Sequence, residues 1–232
     1  MNTTIGILGG MGPMATVDFM QKIIQQTPAE TDQDHLPLLV HSVPQIPDRT
    51  ACLMRGQPSP LNALRSGLKT LLDAGVGCIA IPCNTAHFWH RDLAGLSPVP
   101  VLHIAEACCR CLQQQNTASA GLLATDGTLK AGFYPEVMES AGISLTLPDR
   151  HLQQQTMQGI YQVKAGQIRE GGQHLLRCMN ALLDTGVERV IFGCTEIPLA
   201  LAHTDATQLE VGVDATQALA AQCLRWYRQQ DR

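Results

Sequence analysis

Lysine is scarce in this chain, and positive charge is never in excess. Four lysines occur in 232 residues (Lys22, Lys69, Lys130 and Lys164), and the formal net charge is −4 at pH 7. Such a balance offers no general attraction to nucleic acid or to acidic membranes, so an anionic ligand needs a local cluster of cations. No apolar run is long enough to span a bilayer. The opening Met1-Asn2-Thr3-Thr4 has no basic region and leads to no small-residue cleavage site, so no secretory signal is expected. The regular cysteine spacing of a disulfide framework is missing too: the nine cysteines are odd in number and scattered. The expectation is a reduced, cytoplasmic protein with free thiols. With 45% apolar residues, the chain can build one large core or two small α/β lobes.

The sequence does contain an internal repeat. Gly6-Ile7-Leu8-Gly9-Gly10-Met11-Gly12 matches Gly121-Leu122-Leu123-Ala124-Thr125-Asp126-Gly127, with Phe19 and Tyr134 in corresponding places. Leu71-Leu72-Asp73-Ala74-Gly75-Val76 leads into Ile79-Ala80-Ile81-Pro82-Cys83-Asn84-Thr85. Leu182-Leu183-Asp184-Thr185-Gly186-Val187 leads in the same way into Val190-Ile191-Phe192-Gly193-Cys194-Thr195-Glu196. Upstream, Leu64, Leu68 and Leu71 align with Leu175, Met179 and Leu182. Gly75 and Gly186 read as helix stops, and the β-branched runs after them as buried strands. Val101-Leu102-His103 pairs with Val213-Asp214. The second and third pairs share an offset of 111 residues, and the first is offset by 115. A shared order of motifs at nearly one offset points to duplication.

Strands alternating with helical patterns predict an α/β fold of two similar lobes, each a parallel sheet flanked by helices, with the active site in the cleft between them. Residues 1–103 with 211–232 are expected to form the first lobe, carrying Cys83. Residues 104–210 are expected to form the second, carrying Cys194. Helices are expected at 105–115 and 215–228, the latter packing back on the first lobe.

In open parallel sheets, ligands gather at the carboxyl ends of the strands. Cys83 and Cys194 both come just after a predicted strand, and both precede a threonine that can open a helix. A helix N-terminus favours thiolate. Two thiols facing one ligand from opposite sides can remove a proton from one face of a carbon and return one to the other. The carbanion between them needs hydrogen-bond donors on its carboxylate, and Asn84, Thr85, Thr195 and the Gly10–Gly12 amides can supply them. Cys52, Cys78, Cys178 and Cys223 read as small buried hydrophobes. Cys108, Cys109 and Cys111 share one predicted helix with no second ligand pair at zinc spacing, so no metal site is expected. His87, His90 and His103 read as packing residues, although His103 and Asp214 occupy equivalent strand ends.

Gly10-Met11-Gly12-Pro13-Met14-Ala15 also fits a dinucleotide fingerprint, which makes an NAD-dependent oxidoreductase the rival reading. That fingerprint expects an acid at the end of the second strand. Here the strand 36–42 ends in His41-Ser42, and the nearby acids Glu30, Asp32 and Asp34 precede it. The glycines therefore read as an anion-binding turn. A non-catalytic small-molecule binding module stays open as a third class.

Taken together, Gly9-Gly10-Met11-Gly12-Pro13, Pro44-Gln45-Ile46-Pro47-Asp48-Arg49, Pro82-Cys83-Asn84-Thr85-Ala86-His87 and Gly193-Cys194-Thr195-Glu196 resemble the aspartate/glutamate racemase family over nearly the whole chain. The motifs are most similar to those of its aspartate racemases. The resemblance implies a racemase with no pyridoxal phosphate and no metal, often a homodimer, acting on a small amino acid, here a dicarboxylate. It assigns Cys83 and Cys194 as the catalytic pair. Met11, Gly12, Asn84, Thr85, Thr125, Thr195 and Glu196 fall at substrate-binding positions, with Arg49 and Lys164 as the cations for a side-chain carboxylate. Glutamate, hydantoin and broad-specificity amino-acid racemases share this two-cysteine logic.

Overall fold

The computed structural model describes residues 2–204 and 209–230. The chain divides into two compact units, Met1–Ala107 with Thr216–Arg232, and Cys108–Ala215.

The first unit is built on three parallel strands, β1 (Ile5–Gly9), β2 (Leu38–Ser42) and β3 (Cys78–Ala80), in the order β2-β1-β3. Helices α1 (Pro13–Gln26), α2 (Arg49–Arg55), α3 (Leu61–Asp73) and α4 (His90–Ala94) come in chain order, and α5 (Ile104–Gln114) begins in this unit and continues past Ala107 into the second. In α3, Leu64, Leu68 and Leu71 recur at helical spacing and are buried, while Lys69 and Asp73 pair on the wet face at 2.6 Å. The buried leucines pack with Ile79, Ile81, Trp89 and Leu93, and Cys83 belongs to the same cluster. Each such leucine stabilises the unit by roughly 1.5–3 kcal/mol.

The second unit carries β4 (Ser119–Ala124), β5 (Ser144–Thr146), β6 (Arg189–Gly193) and β7 (Gly212–Asp214), parallel and ordered β5-β4-β6-β7. Its helices are α6 (Asp126–Ala131), α7 (Phe133–Ser140), α8 (Arg150–Lys164), α9 (Ile168–Leu183) and α10 (Glu196–Leu201). In α9, Leu175, Met179 and Leu182 are buried at the positions that correspond to the α3 leucines. They join Val190, Phe192 and Cys194 in one core.

The repeat extends to strand register. Gly6 pairs with Ile79 in the first sheet, and their counterparts Gly121 and Val190 pair in the second. An isolated bridge joins Ile79 to Val101, and the matching pair is Val190 with Gly212. Phe19 and Tyr134 are both fully buried. Gly75 and Gly186 both end helical segments at positive φ, 77° and 89°.

The division lies a few residues from the one read in the sequence, which places 211–215 in the first lobe and 104–107 in the second. In the structure β7 adds to the edge of the second sheet, and only the helix α11 (Ala215–Gln230) returns to the first unit. Lys22 in α1 donates to the Thr216 hydroxyl at 2.8 Å, and Gln26 donates to the Gln217 carbonyl at 3.1 Å. Among the described residues, no helix is long and apolar enough to cross a membrane.

Candidate active site

Because all strands of a sheet run parallel, their carboxyl ends share one edge, and the candidate residues lie just past those ends. In the first unit the segment after β1 is the Gly10–Gly12 turn. Gly10 has φ +93°, and a Cβ there would lie 2.4 Å from the Val43 backbone, so only glycine is accommodated. Thr16 braces the turn: its hydroxyl accepts the Gly10 amide at 2.8 Å and donates to the Gly12 carbonyl at 3.0 Å. Sequence reasoning misses Thr16. Its signal is the position four residues after Gly12, one turn into α1.

Arg49 opens α2, whose N-cap Asp48 accepts the Ala51 amide at 2.6 Å. Its guanidinium reaches back to the loops. Nη1 donates to the carbonyls of Ile46 and Pro47, both at 3.2 Å, and Nη2 donates to the Met11 carbonyl at 3.4 Å. The Nε–H is buried without an acceptor. Ion pairs among the described residues join Lys22 to Asp18, Arg65 to Asp92, Lys69 to Asp73 and Lys164 to Glu196, and none includes Arg49. The structure thus fixes a guanidinium beside the glycine turn with its charge uncompensated by a carboxylate among the described residues. Met11, Gly12 and Arg49 come together as one group.

Cys83, Asn84 and Thr85 come after β3 and are all buried. The Cys83 amide donates to the Ile81 carbonyl at 2.8 Å, which turns the chain sharply after the strand. The next element is a 3₁₀ turn, Thr85–Trp89, rather than an α-helix. The Cys83 carbonyl is taken by the ring of His87, whose Nδ1–H donates to it at 2.9 Å. His87 in turn stacks on His90, with ring centres 5.7 Å apart, and meets His103 edge-on at 5.2 Å. Burial and the neighbouring imidazoles push His87 down to about 3, and burial and His90 push His103 down to about 4, so both stay neutral at ordinary pH.

In the second unit, Ala124 and Gly193 are register partners at the ends of β4 and β6. Thr125 and Cys194 therefore leave neighbouring strand ends. Thr125 caps α6, its hydroxyl accepting the Thr128 amide at 3.1 Å. The Cys194 thiol donates to Oε2 of Glu196 at 2.9 Å, and the Thr195 hydroxyl donates to the same oxygen at 3.0 Å. Lys164, from the last turn of α8, places Nζ 3.7 Å from Oε1. Lys164, Cys194, Thr195 and Glu196 thus form one connected group, and Thr125 stands at the adjacent strand end.

This geometry corrects the expectation of a helix-stabilised thiolate at Cys194. Burial first, and the Glu196 charge second, push this thiol well above its ordinary range, with Lys164 pulling the other way. The helix after it has only six residues, so its dipole is weak beside a carboxylate in contact. Of the remaining cysteines, Cys78 is pushed up to about 12 by burial, and burial raises Cys108 as well. Among the described residues, no cluster of three or more His, Cys, Asp or Glu side chains has metal-holding geometry.

Each α/β unit thus places a buried cysteine past the end of the strand that pairs with its first strand. The sequence profile described as Asp/Glu/Hydantoin racemase matches residues 8–223, and the chain belongs to that family of isomerases. It is similar to the aspartate racemase of Picrophilus torridus, with a TM-score of 0.86 and 29% identity, covering 97% of this chain and 94% of that one. It is 28% identical over 230 residues to the broad specificity amino-acid racemase RacX of Bacillus subtilis, covering 96% of this chain and 97% of that protein. Glutamate racemase from Francisella tularensis shares the fold, with a TM-score of 0.70 at 14% identity, covering 99% of this chain and 82% of that one.

Proposed function

We propose that the chain is a cofactor-independent aspartate racemase that moves the α-proton between Cys83 and Cys194. The observation that carries this reading is the equivalence of the two thiols. Each comes after the β-strand paired with the first strand of its unit, in the same register, and is buried within its unit's core. Two-base racemisation asks for such a pair: one thiolate removes the α-hydrogen, and the other thiol delivers a proton to the opposite face. Asn84, Thr85, Thr125, Thr195 and the glycine-turn amides serve the α-amino-carboxylate, where charge develops as the proton leaves.

Arg49 supports a dicarboxylate. A half-buried guanidinium held by three carbonyls and paired with no acid favours an anion, and its fork suits a carboxylate. Glu196, contacting Cys194, accepts the thiol proton when that cysteine must act as base; once Cys194 has taken the α-proton, Glu196 releases its proton to solvent, and Cys83, having donated its own, regains one from solvent. Lys164 balances the Glu196 charge between turnovers, in addition to the substrate-binding role the resemblance gives it.

A second reading is a broader amino-acid range, favoured by the likeness to RacX and by the commitment of Lys164 to Glu196, which leaves Arg49 as the main selector. Racemisation rates across aspartate, glutamate and neutral amino acids decide between them. The first reading expects aspartate to lead by a wide margin. Comparable rates with alanine or serine support the second.

A further inference from the structure

The two units hold their cysteines differently. The Cys194 carbonyl accepts the backbone amide of Ile197 at 3.1 Å, as in an ordinary helical turn. The Cys83 carbonyl accepts instead from the His87 ring at 2.9 Å. At the 111-residue offset of the cysteines, the position of His87 is occupied by Pro198, which has no donor to offer.

His87 is 3% exposed and is fixed on two sides by His90 and His103. His90 Nε2–H donates to the Val101 carbonyl at 2.8 Å, and its ring meets His103 edge-on at 4.5 Å. The Val101 segment bridges back to Ile79 in β3. A chain of imidazoles therefore ties the Cys83 turn to the sheet behind it. Since a carbonyl oxygen only accepts, Nδ1 of His87 carries the hydrogen.

We propose that His87 is a positioning residue for Cys83, its Nδ1–H replacing the backbone donor that holds the equivalent turn at Cys194 and so fixing the aim of one thiol of the pair. This rests on the two-thiol reading above. A 1 Å misplacement of a reacting group costs on the order of 100-fold in rate.

The test uses His87→Asn and His87→Gln. An asparagine amide reaches the Nδ1 position, and a glutamine amide reaches Nε2, so only the first restores the donor to Cys83. Cα-hydrogen exchange is followed in deuterated water from each aspartate enantiomer separately, beside Cys83→Ala. That alanine variant identifies the enantiomer whose hydrogen Cys83 removes, because exchange from it is lost. Expected for His87→Gln is a fall in kcat of roughly 10–100-fold with KM changed less than about twofold. Exchange should be lost mainly from the enantiomer that Cys83→Ala identifies, and His87→Asn should recover most of it. Equal loss from both enantiomers, or equal impairment in both His87 variants, overturns the inference while leaving the two-thiol reading in place. So does wild-type behaviour in His87→Gln. Should Cys83→Ala racemise normally, the two-thiol reading falls, and this inference with it.

Discussion

The Cys194 thiol and the Glu196 carboxylate face each other across 2.9 Å, two residues apart, with Lys164 on the far oxygen of the carboxylate. The three groups form a line along which a proton and a charge can be traded. Glu196 raises the Cys194 thiol, and Lys164 lowers it. Removing each charge therefore shifts the thiol in opposite directions. Glu196→Gln should move the midpoint of Cys194 alkylation to lower pH, and Lys164→Leu should move it to higher pH. Iodoacetamide labelling of the Cys194 peptide, read by mass spectrometry against pH, checks both. Racemisation should fall in Glu196→Gln by roughly 10²-fold even though the thiol ionises more easily, because the proton acceptor is lost. A rate that rises with the thiolate fraction would show that Glu196 only hinders Cys194.

Arg49 should govern which amino acids bind. A hydrogen bond to a charged group contributes about 1.5–3 kcal/mol. Arg49→Leu should therefore raise KM for aspartate by roughly 10–100-fold, with a much smaller effect on a neutral amino acid. Arg49→Lys should recover only part of the loss, since an ammonium lacks the planar fork. Steady-state kinetics on both substrate types check this, and unchanged aspartate KM in Arg49→Leu would remove the support for a dicarboxylate.

The imidazoles beside Cys83 make stability sensitive to acid. His87 and His103 are held neutral with their values pushed down to about 3 and about 4. In the unfolded chain they bind protons near the ordinary value of about 6.5. Between these limits the unfolded state carries more protons, so stability is full above about 6.5 and falls as pH falls. Each group contributes a slope of at most about 1.4 kcal/mol per pH unit in that window. Thermal unfolding from about pH 7.5 to about pH 4.5 should show a declining Tm, and His87→Asn should decline less steeply. Parallel curves for the two proteins would show that His87 is not buried neutral.

Much of this arrangement is legible in residue order. Gly75 and Gly186 mark helix ends, the aligned leucines of α3 and α9 mark buried faces, and the strands leading to Cys83 and Cys194 fall where the repeat places them. Those features rest on local patterns, which a sequence displays directly. The edge strand β7 joins the second sheet although the sequence pattern assigns it to the first lobe, because three residues carry too little periodicity to say which sheet they join. The 3₁₀ turn after Cys83 begins at Thr85, whereas the helix after Cys194 begins at Glu196 with Thr195 as its N-cap, and the contacts of His87 and Glu196 show how differently the two segments are held. The state of Cys194 is also out of reach. Burial and a carboxylate in contact outweigh the helix end, and neither is visible until the chain is folded. His87 reads as a packing residue, and its hydrogen bond to Cys83 depends on ring positions set by His90 and His103.

Whether two thiols serve one carbon is tested most directly by tracking inversion and label together. Each aspartate enantiomer is incubated separately in deuterated water with extensively dialysed protein and no added cofactor, for the wild type, Cys83→Ala and Cys194→Ala. Expected is inversion by the wild type, with one solvent deuterium at Cα of the product. Each alanine variant should lose inversion by at least about 10²-fold and keep exchange from one enantiomer only, the opposite one in the two variants. Near-normal inversion in either variant, or inversion that returns only when pyridoxal phosphate is supplied, would contradict it.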